Sequence, residues 1–259
     1  MADDAPALGL IAALLTDKRV ILPDGSIASE HKGIMAGVPL SSFLANLYLK
    51  DLDWYFVQKH VLYVRYSDDI ILFAPTAETR DCAAAYIRNY LYSVGLDINP
   101  DKECCVPPHC KWTFLGVSFE NGVFDVSEVS ARKLMMKMRR KSRALLRWKA
   151  RKHVDNAYAV RAFVKVINRK LYDNDRHSEL TWTRWFFPLI NTPQTLKKID
   201  RYMQDCLRYV ATERRNCRRY RFGYEDMKRL GYRSMVHEYY SVKQQTLTAC
   251  GRIQIPASK

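Results

Sequence analysis

"YVRYSDDIILFA", residues 63–74, sets two adjacent carboxylates, Asp68 and Asp69, between two apolar runs rich in β-branched and aromatic residues. The runs read as strands joined at a polar tip. Two like charges side by side are unfavourable unless something positive sits against them. Ser and Asp are also ordinary turn residues, so the tip is either turn chemistry alone or a cation site. Carboxylates mounted on strands suit Mg²⁺, which takes a few carboxylates and fills its shell with water and substrate phosphate. Neighbouring strand residues point to opposite faces, so the two acids are not equivalent.

Outward from the tip, the first half of the chain alternates short helices and strands. Residues 5–16 ("APALGLIAALLT") read as a helix, and "VILPDGSIAS" as strand, turn, strand. From Leu40 to about Val57 the apolar residues Leu40, Phe43, Leu44, Leu47, Leu52 and Tyr55 keep helical spacing. Residues 77–94 form another amphipathic helix closed by Gly95, "LDIN" and "WTFLGVSF" read as strands, and "ENGVFDV" holds an Asn-Gly hairpin turn. The expected class is α+β. After Ser127 the character changes. "SARKLMMKMRRKSRALLRWKARK" is a basic helix with an apolar stripe at Leu134, Met138, Leu145 and Trp148, and further helices are expected at about 156–172 and 193–211.

Charge divides the same way. Residues 1–130 hold 10 Lys and Arg against 17 Asp and Glu, a net of −7, whereas residues 131–259 hold 32 against 10, a net of +22. The second half is expected to seek a polyanion, its field raising both affinity and encounter rate for nucleic acid. Seven cysteines, an odd number without a regular framework, suggest reduced thiols in a cytoplasmic protein. The apolar stretch "ALGLIAALL" is too short to span a bilayer and lacks the basic flank of a signal peptide, so no membrane partner is expected.

Four stretches together carry a likeness: "KGIMAGVPLSSFLANLYLKDLD", "YVRYSDDIILF", "GLDINPDKE" and "WTFLGVSF". In order and spacing they resemble consecutive polymerase motifs of a reverse transcriptase, nearest to the bacterial group II intron-encoded and related retroelement enzymes. The resemblance covers about residues 5–120; the basic helical half resembles, by position and character, the thumb that follows the palm. It implies a partial palm over residues 1–127 and a helical thumb over 128–259. Asp68 would then be a ligand of two Mg²⁺ ions in nucleotidyl transfer from a dNTP to a DNA primer on an RNA template, with Asp69 in support. Tyr66 and Ser67 would lie near the primer terminus. Gly33, Gly37 and Pro39 would form the loop passing close to template and incoming base. Lys102 would lie near the leaving pyrophosphate, where a cation or proton donor helps. Phe114, Leu115 and Gly116 match the primer-grip hairpin, and can be a half-buried strand as well.

Two departures accompany the likeness. Met35-Ala36-Gly37 stands where the family usually has Pro-Gln-Gly, which puts the usual contacts near the nascent pair in doubt. The family's first catalytic aspartate, on an earlier strand, has no counterpart, because Asp3 and Asp4 run directly into a helix. Asp68 and Asp69 alone offer too few oxygens for two ions, so the isolated chain is expected to be inactive. Either a second polypeptide supplies the fingers and the missing aspartate, or the chain is a remnant that binds nucleic acid without catalysis.

The basic helix suits that simpler role. Arg132, Lys133, Lys137, Arg139, Arg140, Lys141, Arg143 and Arg147 cover more than one face and would position a duplex through its phosphates. "TERRNCRRYRFGYEDMKRLGYRS" repeats the basic-aromatic mix, either for stacking and phosphate contact or as the edge of a core. Cys104, Cys105, His109 and Cys110 cluster, but their spacing is not a common structural zinc pattern.

Overall fold

A computed structural model describes residues 4–17, 19–29, 39–172, 181–214 and 216–250. The chain is α+β and separates into two compact units, Met1–Glu103 and Cys104–Lys259.

In the first unit, helix α1 (Ala5–Thr16) leads to an antiparallel pair, β1 (Arg19–Ile21) and β2 (Ile27–Ser29). The connection uses Gly25 at φ 84°, which a side chain would resist. Next come α2 (Pro39–Tyr48) and α3 (Lys50–Gln58). The helical spacing from Leu40 to about Val57 predicts one continuous helix, where the structure has two. The chain bends at Leu49 (φ −103°, ψ 12°) while the Asp53 amide still donates to the Leu49 carbonyl, so helical spacing survives the bend. The hairpin β3 (Leu62–Tyr66) and β4 (Asp69–Phe73) pairs from Leu62 with Phe73 to Tyr66 with Asp69. Helix α4 (Ala77–Ser93) follows, its first turn capped by the Thr76 hydroxyl, which accepts from the Thr79 amide.

One face of the hairpin makes the core of this unit. Leu52 and Phe56 from α3 and Ala83, Ile87 and Leu91 from α4 are buried, with Tyr63, Ile70 and Leu72 packed against them. Phe56 stacks on Tyr63 at 4.5 Å between ring centres. Among the described residues no second layer covers the other face, where Leu62 and Val64 are 72% and 53% exposed. The expected strand at "LDIN" does not form. Residues 96–99 make no ladder, although Ile98 still packs on the core. Apolar alternation alone cannot make a strand where no neighbour offers its backbone.

The second unit begins with a meander, β5 (Trp112–Phe114), β6 (Val117–Glu120) and β7 (Val123–Val126). The turn at Asn121-Gly122 has φ of 48° and 79°, the type I′ geometry that an Asn-Gly pair favours. Helices α5 (Glu128–Lys152), α6 (Asn156–Leu171), α7 (Trp182–Phe186) and α8 (Gln194–Thr212) follow. Two more, α9 (Tyr224–Arg229) and α10 (Met235–Cys250), lie in a stretch whose helices the basic-aromatic composition concealed. Leu196, Ile199, Met203, Leu207 and Val210 line the buried side of α8 at helical spacing, and share one core with Met138 of α5 and Phe163 and Ile167 of α6.

The compositional change at Ser127 and the division by contacts do not coincide. Val117 and Val126 belong to the helical core, and Asn191 binds the edge of β7 through Phe124 and Gly122. Composition marks where the basic surface begins; the apolar side of the meander decides which core it joins.

Candidate metal centre and nucleic-acid interface

The β3–β4 register leaves two residues, Ser67 and Asp68, at the turn. Ser67 has φ 57°, sparsely occupied by residues with a side chain, and Asp68 does not. Positive φ at the first central position alone is the pattern of a II′ turn, which normally takes glycine there. Asp69 faces Tyr66 across the ladder, on the exposed side of the hairpin. Both Asp68 and Asp69 are exposed. Among the described residues neither carboxylate accepts a hydrogen bond or pairs with a cation, so the turn does not consume them.

The cation nearest in sequence, Arg65, is held elsewhere. Its side chain is 3% exposed and forks onto Asp53 of α3, with Nε to Oδ1 at 2.8 Å and Nη2 to Oδ2 at 2.5 Å. Nη1 donates to the Ser67 carbonyl at 3.0 Å and to Asn46 Oδ1 on α2 at 3.2 Å. The Tyr63 hydroxyl also donates to Asp53 Oδ1. Burial and the Asp53 charge push the Tyr63 hydroxyl above its ordinary pKa, so it remains a donor. Arg65, Asp53 and Asn46 were missed in the sequence. The available signal was an arginine inside an apolar strand, which needs a buried partner.

The remaining expected positions are dispersed. Lys102 ends an exposed 3-10 turn, Pro100–Lys102, and its side chain makes no hydrogen bond or ion pair among the described residues. Gly33 and Gly37 lie outside the described residues, as do Met35 and Ala36, and Pro39 opens α2. Cys104, Cys105 and Cys110 are exposed, and among the described residues no group of three or more His, Cys, Asp or Glu could hold a metal ion.

In the second unit, Leu115 and Gly116 form the β5–β6 turn with φ of 48° and 84°, again type I′. The Trp185 indole donates to the Leu115 carbonyl at 3.4 Å and the Ser127 amide to the Gly116 carbonyl at 2.8 Å. Phe114 and Leu115 are half-buried, and both turn carbonyls are engaged within this unit. Helix α5 is capped by the Ser127 hydroxyl, which accepts from the Ser130 amide. Its inner row is Ala131, Leu134, Met138 and Ser142. Arg132, Lys133, Lys137, Arg139, Arg140, Lys141, Arg143 and Arg147 are all exposed, and none forms an ion pair among the described residues. Lys133, Arg140 and Arg147 recur every two turns opposite the buried row, spanning about 21 Å of helix.

With two unspent acids at a hairpin tip and a row of unspent cations on a helix, the likeness can be named from outside the chain. Residues 6–119 match the family model for reverse transcriptase (RNA-dependent DNA polymerase). This reverse-transcriptase-like segment contains α1 to α4, the Ser-Asp-Asp tip and the Leu115-Gly116 turn. Among curated proteins no match is found. No helix of the described residues is long and apolar enough to cross a membrane.

Proposed function

We propose that the chain is the palm and thumb portion of an RNA-directed DNA polymerase of the group II intron or related retroelement type. The observation that carries this is the pair Asp68 and Asp69, without a partner among the described residues, at the tip of a hairpin inside the reverse-transcriptase-like segment. Two exposed carboxylates suit one divalent cation that completes its shell with water and phosphate. For two Mg²⁺ ions they are too few, and the described residues offer no third acid beside them. When bound, the cation would neutralise charge as a primer 3′-hydroxyl displaces pyrophosphate from a dNTP. Asp68 would hold it and Asp69 support it. Lys102 would meet the leaving pyrophosphate, while Tyr66, Ser67, Gly37 and Pro39 would border primer and nucleotide. Phe114, Leu115 and Gly116 would steady the primer, and the α5 cations would carry the RNA–DNA duplex by its phosphates.

A second polypeptide bringing a strand and a further aspartate would complete this site, and the isolated chain would be inactive. The exposure of Leu62 and Val64 on the outer face of β3–β4 supports that partner. A two-stranded hairpin is marginal alone, and among the described residues no further strand pairs with its edges, which can accept an added one. Primer extension by the purified chain on an RNA template with Mg²⁺ and dNTPs tests it. No product is expected. Product that Asp68→Asn abolishes would overturn the inactivity, and absence of any duplex binding would overturn the polymerase reading itself. The non-catalytic alternative, a nucleic-acid-binding module, draws on α5 alone and predicts duplex binding indifferent to Asp68→Asn and to divalent cations.

A further inference from the structure

The basic-aromatic stretch from Thr212 to Ser234 divides in the structure. Phe222, Tyr224 and Tyr232 pack into the core of the second unit, whereas Tyr220 stays 57% exposed on a 3-10 turn, Cys217–Arg221. The turn is pinned: Asn216 Oδ1 accepts from the Arg218 amide at 3.2 Å, and the Phe222 amide donates to the Arg219 carbonyl at 3.2 Å. Two guanidiniums hold the ring. Those of Arg208, on α8, and Arg219 lie 5.1 and 5.0 Å from its centre, and Arg219 Nη2 donates to the Tyr220 hydroxyl at 3.2 Å. One carboxylate, Asp205, binds both, at 3.2 Å from Arg208 Nη1 and 3.6 Å from Arg219 Nη2. An aromatic ring is thus kept in the open beside two cations that share a single acid.

We infer that Tyr220, held by Arg208 and Arg219, is a stacking site for one unpaired base of a single-stranded nucleic acid. A tyrosine that only closes a core keeps its ring inside, as Tyr232 does at 4% exposed. A ring left outside with its direction already fixed has little freedom to lose when a base lies on it. Arg214, Arg218 and Arg221 are exposed and form no ion pair among the described residues. Phosphates on either side of the stacked base would meet that uncompensated charge. Paired bases inside a duplex present no free face to a side chain, so the ring selects a single strand. Stacking tolerates any sequence, because every base has a π-face. The second unit therefore offers two surfaces of different kind: cations along α5 for the phosphates of a duplex, and Tyr220 for an unstacked base.

This inference rests on the reading of the second unit as nucleic-acid-binding, and its test separates the two. Labelled oligouridine and oligothymidine of about 12 nucleotides serve as single-stranded probes, with an RNA–DNA duplex for comparison, each titrated with the full chain by fluorescence anisotropy. Tyr220→Ala is expected to weaken single-strand binding about tenfold, the size of one lost base stack, and to leave duplex affinity unchanged. Its salt slope should match wild type, because no phosphate contact is lost. Tyr220→Phe keeps the ring and removes the hydroxyl that Arg219 grips, and is expected to bind single strands as wild type does. A merely structural role would make Tyr220→Phe as weak as Tyr220→Ala, and that result would overturn the inference. Replacing Arg218 and Arg221 together by Gln should flatten the single-strand salt slope by about 0.7 for each phosphate contact removed. A Tyr220→Ala loss seen with oligouridine alone would name RNA as the ligand, and a loss seen with both probes would name single strands of either sugar; both uphold the site. Wild type that binds neither duplex nor single strand would sink the nucleic-acid reading and this site with it. Normal duplex binding, with single-strand affinity indifferent to Tyr220→Ala, would sink this site alone.

Discussion

At Arg65 a single side chain ties two helices and a turn together, and its loss should be felt as folding stability. Arg65→Ala leaves Asp53 half-satisfied and the Ser67 carbonyl unpaired. A cost of about 1–2 kcal/mol is expected, below the range for a fully buried pair because the Asp53 side chain is 36% exposed and water can reach it, read as a lowered denaturation midpoint. Gly116 is a second such point. It sits at φ 84°, and an added Cβ would come 2.6 Å from Ser130 Oγ and 3.2 Å from the Phe186 ring. Gly116→Ala should therefore cost more than Gly122→Ala, where φ is 79° but nothing lies within 4 Å. About 2–3 kcal/mol against about 1 is the expected contrast in chemical denaturation. Cys206 offers a titration test. Burial pushes its thiol up to about 11. At pH 8 to 9 it should stay protonated and resist alkylation, while exposed Cys82 and Cys217 react. Raising the pH towards 11 should open it. Alkylation of Cys206 as fast as Cys82 at pH 8 would contradict that burial.

Among the elements, Asp200 on α8 has the most to hold. It is 5% exposed and accepts from the Tyr232 hydroxyl, the Ser234 hydroxyl and the Met235 and Val236 amides. Those amides belong to the first turn of α10 and have no helical partner of their own. One carboxylate thus anchors a helix whose sequence shows only a weak amphipathic pattern. Asp200→Ala is expected to cost several kcal/mol and to free α10 first, visible as loss of amide protection there before α5 or α6. Protection of α10 unchanged by that substitution would refute the anchoring. Elements of this unit with strong signals were legible from sequence: Ser127 marks the start of α5, and Asn121-Gly122 marks its hairpin. Those that depend on distant partners were not. Nothing local to Met235 announces that an aspartate 35 positions earlier will cap its helix. In the first unit the tip at Asp68 was legible because two strands flank it, whereas the strand at "LDIN" failed because ladder pairing is a property of neighbours.

Across the whole molecule the lopsided charge gives the clearest expectation. Eight of the α5 cations, from Arg132 to Arg147, are exposed and form no ion pair among the described residues, so duplex affinity should fall steeply with salt, log affinity losing about 0.9 per phosphate contact for each tenfold rise. Replacing Lys133, Arg140 and Arg147 together by Gln should flatten that slope by about 3. A fluorescence-anisotropy titration at several salt concentrations reads both numbers, and an unchanged slope would place the duplex elsewhere. The candidate site was legible only in part. Its acids and cations stand out as charges with no obvious employment, but Asp53 and Asn46 look like ordinary residues of helix surfaces until the hairpin is laid over them. The α+β class followed from the alternation of periods, and the basic half from composition. The division at Glu103 did not, because it depends on which core Val117 and Val126 join.

The polymerase role depends on whether the paired acids of the β3–β4 tip take a divalent cation. Mn²⁺ titrated into isotopically labelled full-length chain, followed by amide line broadening, asks that directly. The account predicts broadening that begins at Ser67, Asp68 and Asp69, disappears in Asp68→Asn, and is reversed by excess Mg²⁺. Broadening spread over other acidic residues, or unchanged in Asp68→Asn, would contradict it.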